Sequence, residues 1–198
     1  MELKIFLRFQ QWKILISALS TFNKDVFRRS NIKIYVSAHV TRRIEMTKVE
    51  KIIRAAQDIA DEWPNFFMKK GAGEGDKDTN SFMTELRSRA KQKCGVDFSE
   101  KQICGENNLS ADFFIPEEDT IIEVALSLRN PNSEFERDIF KAIMAKEQGA
   151  YVHNLIFLSK PGAIKRHKQP SSVAMKEWLY KKHSIHLKIR ELSDNHTR

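Results

Sequence analysis

The apolar positions of this chain change several times between helical spacing and strand spacing. Thr47 and Glu50 form a capping box ahead of apolar residues at helical spacing, which predicts a helix to about residue 67. Glycines among charges predict a flexible link over 69–78. The later segments predict, in order, a helix over 79–93, a strand near 96–104, a hairpin over 111–128, a helix over 133–148, a buried strand over 152–158, a helix over 171–182 and a strand over 185–189.

This order of elements indicates an α/β fold. One helix, three strands, a helix, a strand, a helix and a last strand predict a mixed sheet with helices on both faces. A chain of 198 residues is long enough for one substantial domain with an appendage. We therefore predict a core domain over 79–198 and an N-terminal extension with one helix over 1–70.

The predicted hairpin fixes which residues face each other. A four-residue turn that begins with Pro116 places Phe114 opposite Ile121. The same register places Asp112 opposite Glu123, on one face of the sheet with Cβ atoms about 5 Å apart.

Two carboxylates held this close destabilise a sheet unless a cation lies between them. Residues 121–128 are largely apolar, so this strand is expected to be buried, where an unpaired carboxylate is costly. A hard divalent ion such as Mg²⁺ is the usual partner of paired carboxylates. The hairpin therefore predicts a metal site at Asp112 and Glu123.

Positive charge is concentrated near the end of the chain. Residues 159–198 contain ten Lys or Arg against three acidic residues, which is +7 of the total net charge of +8. A basic segment of this kind indicates a polyanionic partner or a solubilising surface. Four basic residues next to a Pro-Gly turn are the candidate phosphate contacts: Lys160, Lys165, Arg166 and Lys168.

The rest of the composition is typical of a globular protein, with 41% hydrophobic residues. Cys94 and Cys104 lack the spacing of a metal site and are expected to be reduced structural thiols. Arg8 and Lys13 interrupt the apolar start of the chain, so no membrane span is expected there. We expect a cytoplasmic location.

The order of elements, together with Asp112 and Glu123, resembles the PD-(D/E)XK nuclease superfamily, which includes restriction endonucleases and repair nucleases. The resemblance covers residues 79–198. It implies a restriction-endonuclease-like αβββαβ core, a Mg²⁺ (or Mn²⁺) cofactor and hydrolysis of DNA. By position, Asp112 matches the family's Asp and Glu123 matches the Glu of its ExK motif. Many such nucleases dimerise to cut both strands.

Two further residues enter through this resemblance. Glu85 resembles the glutamate of the first helix, which often assists the metal site. Residues 136–140 are the closest match to the family's QhxxY helix motif, with both end residues changed, and this match implies a site role for Glu136.

Ala125 departs from the family where ExK requires lysine, although strand alternation places it on the same face as Glu123. A cation from the following helix, Arg137 or Lys141, could replace the lysine; the metal alone could suffice, since it lowers the pKa of bound water; or the site could be inactive. The sequence thus leaves three functions open: a Mg²⁺-dependent nuclease, a catalytically inactive nuclease-fold protein that binds DNA or a protein partner, and a small interaction protein.

Overall fold

The computed structural model describes residues 46–63, 66, 74–126 and 133–193. Side chains are described from residue 78 onward in the range 74–126 and from residue 135 onward in the range 133–193. The predictions for residues 1–45 lie outside this part of the chain. The helices are α1 (Lys48–Glu62), α2 (Glu74–Cys94), α3 (Ser133–Glu147), α4 (Ala163–Arg166) and α5 (Pro170–His183). The strands are β1 (Ser99–Lys101), β2 (Ala111–Ile115), β3 (Thr120–Val124), β4 (Asn154–Ser159) and β5 (His186–Glu191).

The strands form one five-stranded mixed sheet in the order β1-β2-β3-β4-β5. The pairs β1–β2 and β2–β3 are antiparallel, whereas β3–β4 and β4–β5 are parallel. Because β3 and β4 run in the same direction, Val124 and the end of β4 lie at the same end of the sheet. The term sheet edge refers below to this edge, which the ends of the strands form. From α2 onward the first six elements follow the order helix, three strands, helix, strand.

Helices cover both faces of the sheet. On one face, Ile122 and Ile156 pack in the core cluster that also contains α1 and α2. On the other face, Ile121 and Phe157 pack with α3 and α5. Neighbouring strand residues thus belong to opposite clusters, as the two-residue period of a strand requires. The predicted α/β class with a mixed sheet and helices on both faces is confirmed.

The register of the hairpin also agrees with its prediction. Phe114 pairs with Ile121 and Ile115 with Thr120. A 3₁₀ turn over Pro116–Glu118 connects the strands. Asp119 closes the turn in the left-handed conformation with φ of 47°, which an aspartate adopts more readily than most residues.

Several helix boundaries differ from the prediction. Thr47 caps α1, as expected, by accepting a hydrogen bond from Glu50 N at 3.2 Å, but the helix ends at Glu62 rather than near residue 67. The flexible link predicted over 69–78 is wrong from Glu74 onward, where α2 has already begun. This segment is rich in acidic residues, which stabilise the N-terminus of a helix.

The sequence predicts α1 as part of the N-terminal extension, whereas in the structure α1 belongs to the same compact unit as the sheet. Residues Glu45–Arg198 form one compact unit, and Ile52 and Ile59 of α1 are fully buried in it. Among the described residues, no helix has both the length and the apolar character that crossing a membrane requires.

Candidate active site

A polar cavity of about 470 Å³ opens at the edge of the sheet where β3 ends. The helices α2 and α3 both contribute side chains to its lining. The sheet supplies Asp112, Glu123, Val124 and Ala125, α2 supplies Thr79, Asn80, Met83, Thr84 and Arg87, and α3 supplies Arg137, Asp138 and Lys141.

Asp112 and Glu123 lie side by side in this cavity. The carboxylate of Asp112 accepts a hydrogen bond from Val124 N at 2.8 Å, which ties it to the strand that carries Glu123. Asp112 N in turn donates to Glu123 Oε2 over a long 3.4 Å. The hairpin therefore brings together the two acidic residues that the sequence pairs.

Lys141 of α3 reaches into the same place. Its Nζ lies 2.9 Å from Glu123 Oε1 and 2.9 Å from Asp138 Oδ1, and it donates to the carbonyl oxygen of Ser110 at 3.0 Å. Cys104 lies behind the lysine, and its Sγ donates to Lys141 O at 3.3 Å. Lys141 is thus held both by its ammonium group and by its backbone carbonyl oxygen.

Burial governs the protonation of Glu123, which is 1% exposed. Loss of hydration, together with the nearby charges of Asp112 and Asp138, raises the pKa of Glu123 well above its usual range. Lys141 acts in the opposite direction but does not outweigh these effects. A buried carboxylate with a strongly raised pKa beside a charged partner is typical of a functional site.

Asp138 is a member of the site that sequence reasoning missed. Burial raises its pKa, although Lys141 favours the ionised form. Burial also opposes the charge of Lys141, but Glu123 and Asp138 outweigh it and raise the pKa of the ammonium group. The signal in the sequence was helical spacing, since Asp138 lies three residues before Lys141 and shares its helix face.

Two arginines lie in the wall of the cavity. Arg137 Nε is 4.0 Å from Asp138 Oδ1, and its side chain is 59% exposed. Arg87 of α2 is held by Glu100, with NH1 2.8 Å from the carboxylate. The cavity therefore combines acidic groups and Lys141 with cations in its wall, while the methyl group of Ala125, which also lines it, adds no chemistry.

Two residues that the family resemblance implied do not line this cavity. Glu85 is bound to Arg89, with Oε1 2.6 Å from Arg89 Nε, and it lines a different groove. This groove adjoins the cavity, because Asn80 and Thr84 line both. Glu136 is exposed on α3 and lines an apolar groove beside Phe140.

The four basic residues near the Pro-Gly turn also lie outside the cavity lining. Lys160 starts at the same sheet edge, where its N donates to Leu126 O, but its Nζ donates to Phe66 O at 2.8 Å. Lys165 and Arg166 are exposed on α4, and Lys168 follows it. Two of the four residues thus belong to a short helix rather than to a loop.

The acidic pair offers oxygen donors of the kind that Mg²⁺ prefers. Glu123 Oε1 is buried and makes no hydrogen bond of acceptable angle, even though Lys141 Nζ lies 2.9 Å away. An acceptor without a hydrogen bond in a buried polar cavity fits a cation ligand. Within the described ranges, no three His, Cys, Asp or Glu side chains are arranged to hold a metal ion. Asp112 and Glu123 therefore suit an ion that keeps most of its water ligands, as Mg²⁺ does.

Comparison with known proteins gives no match: no family model fits this chain, and no curated protein or solved structure is significantly similar to it. The roles of these residues must therefore be inferred from the geometry and charge of the cavity.

Proposed function

We propose that this protein is a Mg²⁺-dependent (or Mn²⁺-dependent) nuclease that hydrolyses phosphodiester bonds of DNA. The observation that carries this proposal is the position of Lys141. Its ammonium group lies 2.9 Å from Glu123 Oε1, in the cavity that Asp112 and Ala125 also line. The lysine that is missing at position 125 is thereby replaced by one from α3.

The restriction-endonuclease-like fold is part of this proposal. Three features support it together: the αβββαβ order from α2 to β4, the acidic pair on a hairpin and the cation from the next helix. An unrelated fold could share the order alone, since few architectures are available to such elements. The combination with the chemistry at one sheet edge makes the nuclease assignment more specific.

Asp112 and Glu123 are the residues that would hold the metal ion. Their oxygens are hard ligands, and two carboxylates leave positions for water and substrate phosphate. A bound Mg²⁺ would neutralise the negative charge that develops on the phosphate oxygens and would activate a water molecule. The hydrogen bond from Val124 N orients the Asp112 carboxylate before any ligand arrives.

Lys141 provides a positive charge where the reaction develops negative charge. Hydrolysis forms a bond from a water oxygen to phosphorus and breaks one ester P–O bond, with a proton lost by the water and one gained by the leaving oxygen. A buried ammonium group at the cavity stabilises the attacking hydroxide and the phosphate oxygens. Burial strengthens this effect, because only 6% of Lys141 is exposed.

Arg137 and Arg87 supply substrate binding in this scheme. Arginine forms paired hydrogen bonds to phosphate oxygens, and both side chains line the cavity. Arg137 is the more accessible of the two, and Arg87 is held in place by Glu100. Lys160, Lys165, Arg166 and Lys168 do not line the cavity. The excess of positive charge from residue 159 onward favours a polyanion such as DNA, through contacts that do not depend on sequence.

Cleavage of plasmid and single-stranded DNA in Mg²⁺ and in Mn²⁺ tests this function. We expect the wild type to cut DNA and EDTA to stop this cutting. Asp112→Asn and Glu123→Gln should each reduce the cleavage rate at least 100-fold. Glu117→Gln is the matched control, because Glu117 is an exposed acidic residue of the same hairpin. DNA binding without cutting by the wild type would support the inactive nuclease-fold alternative instead. Sedimentation of the protein on its DNA would show whether it acts as a dimer.

A further inference from the structure

The three contacts of Lys141 create a conflict at Glu123. The ammonium group of Lys141 lies near three oxygens: it donates to Ser110 O at 3.0 Å, and its Nζ is 2.9 Å from Glu123 Oε1 and 2.9 Å from Asp138 Oδ1. Glu123 Oε1 is also one of the oxygens that the proposed function assigns to the metal ion. An ammonium group and a divalent cation repel each other, so they compete for this buried oxygen at contact distance.

Asp138 offers the lysine a second anionic partner. It lies three residues before Lys141 on α3, so their contact is made within one helix and does not depend on Glu123. Asp138 is itself largely buried, with Arg137 Nε at 4.0 Å as its other cationic neighbour. When Glu123 is taken by a metal ion, Asp138 can still hold the ammonium group inside the cavity.

The charge of the buried cluster agrees with such an exchange. Asp112, Glu123 and Asp138 carry three negative charges when ionised, and Lys141 carries one positive charge. For these four residues, with Arg87 and Arg137 of the cavity wall left out, the remaining two negative charges equal the charge of one divalent cation. The lysine therefore lowers the repulsion among the carboxylates without removing the attraction for the metal.

We propose that Lys141 and the divalent cation exchange at Glu123 Oε1, and that Asp138 is the positioning residue that retains Lys141 when the cation binds. This inference rests on the proposed function and adds a step to it. Before the cation binds, Lys141 bridges Glu123 and Asp138. After it binds, Lys141 stays on Asp138 and Ser110 O, next to the reacting phosphate.

A double-mutant cycle in cation affinity tests the exchange without any cleavage. Titration calorimetry with Mn²⁺ in the absence of DNA compares the wild type, Asp138→Asn, Lys141→Met and the double variant. We expect Asp138→Asn to weaken Mn²⁺ binding about tenfold, because Lys141 then keeps Glu123 as its remaining carboxylate contact and competes with the cation for it. In the Lys141→Met background there is no competitor, so the same change should weaken binding only about twofold.

Equal weakening in both backgrounds would overturn the exchange, because Asp138 would then act only as one more negative charge. If Lys141→Met does not fold, as shown by thermal unfolding, Lys141→Gln takes its place in the cycle and retains a donor for Ser110 O.

Asp112→Asn separates the two proposals, since it should abolish Mn²⁺ binding. Wild-type protein that binds no Mn²⁺ and cuts no DNA would refute the proposed function, whereas cation-dependent cutting with an additive cycle would refute the exchange alone.

Discussion

Lys141 Nζ on α3 lies 2.9 Å from Glu123 Oε1 on β3, and both groups are buried. The two residues lie 18 positions apart in the chain and meet where β3 ends. A buried ion pair of this kind contributes little net stability, but removing one partner leaves the other charge uncompensated and costs about 3 kcal/mol or more. The pair is therefore better explained by function than by stability.

Glu123→Gln should make the stability of the metal-free protein less dependent on pH. The folded-state pKa of Glu123 is raised above its unfolded value, so its stabilising contribution is full below the unfolded pKa and is lost as pH rises through the folded pKa. Asp138 shifts in the same direction. Urea unfolding between pH 4.5 and pH 8 should show a decline of stability that Glu123→Gln reduces by up to about 1.4 kcal/mol per pH unit. An unchanged decline in this variant would contradict the raised pKa, and Glu117→Gln serves as its exposed control.

Glu118→Ala should destabilise the fold by about 1 to 2 kcal/mol. The carboxylate of Glu118, in the hairpin turn, accepts hydrogen bonds from the N-terminal N–H groups of α1, Lys48 N and Val49 N. Its loss leaves these donors with less compensation and removes a negative charge from the helix N-terminus. Chemical unfolding measures the effect, and Glu117→Ala, which removes the neighbouring exposed carboxylate, should change stability by less than about 0.5 kcal/mol. Equal effects of the two changes would show that the capping contact is not stabilising.

The basic residues after β4 should differ in role, with Lys160 contributing to stability and Lys165 and Lys168 contributing to DNA binding. Lys160→Met should lower stability, because Nζ donates to Phe66 O and lies 4.5 Å from the centre of the Phe66 ring. Lys165→Ala and Lys168→Ala should instead weaken DNA binding for every sequence and reduce the slope of log affinity against log salt by about 1 each. Binding measured in Ca²⁺ at several salt concentrations provides the slopes. Slopes that stay at the wild-type value would mean that these lysines only solubilise the protein.

Arg137→Met should raise KM for DNA about tenfold with a smaller change in kcat. Arg137 lines the cavity and is exposed, so it is placed to bind substrate phosphate in both the ground state and the transition state. Arg54→Met is the control, because Arg54 is an exposed arginine of α1 that does not line the cavity. A loss confined to kcat would instead assign Arg137 to the chemical step.

The parts of the site that depend on local patterns could be predicted from the sequence. The hairpin register follows from strand alternation and turn length, so the pairing of Phe114 with Ile121 and the proximity of Asp112 and Glu123 were accessible. The cation on α3 was accessible as one of two candidates, Arg137 and Lys141, because helical spacing places them one turn apart.

The remaining parts depend on how helices pack. Which face of α2 meets the cavity is set by tertiary contacts, and the structure selects Thr84 and Arg87 rather than Glu85. Asp138 was not predicted because the motif match over 136–140 concerns its end residues, Glu136 and Phe140, which are both exposed, whereas Asp138 between them is buried. The bond from Lys160 to Phe66 joins residues 94 positions apart, and no local pattern indicates such a contact.

Relocation of the lysine tests the central claim most directly. The claim is that Lys141 performs the role that Ala125 cannot, and Ala125 lines the same cavity. The measurement is the rate of Mg²⁺-dependent plasmid cleavage by the wild type, Lys141→Met, Ala125→Lys and the double variant. We predict that Lys141→Met lowers the rate at least 100-fold and that Ala125→Lys in the Lys141→Met background restores a substantial part of it. An inactive wild type that gains activity only in Ala125→Lys would contradict this account and would identify the protein as a nuclease fold without a working site.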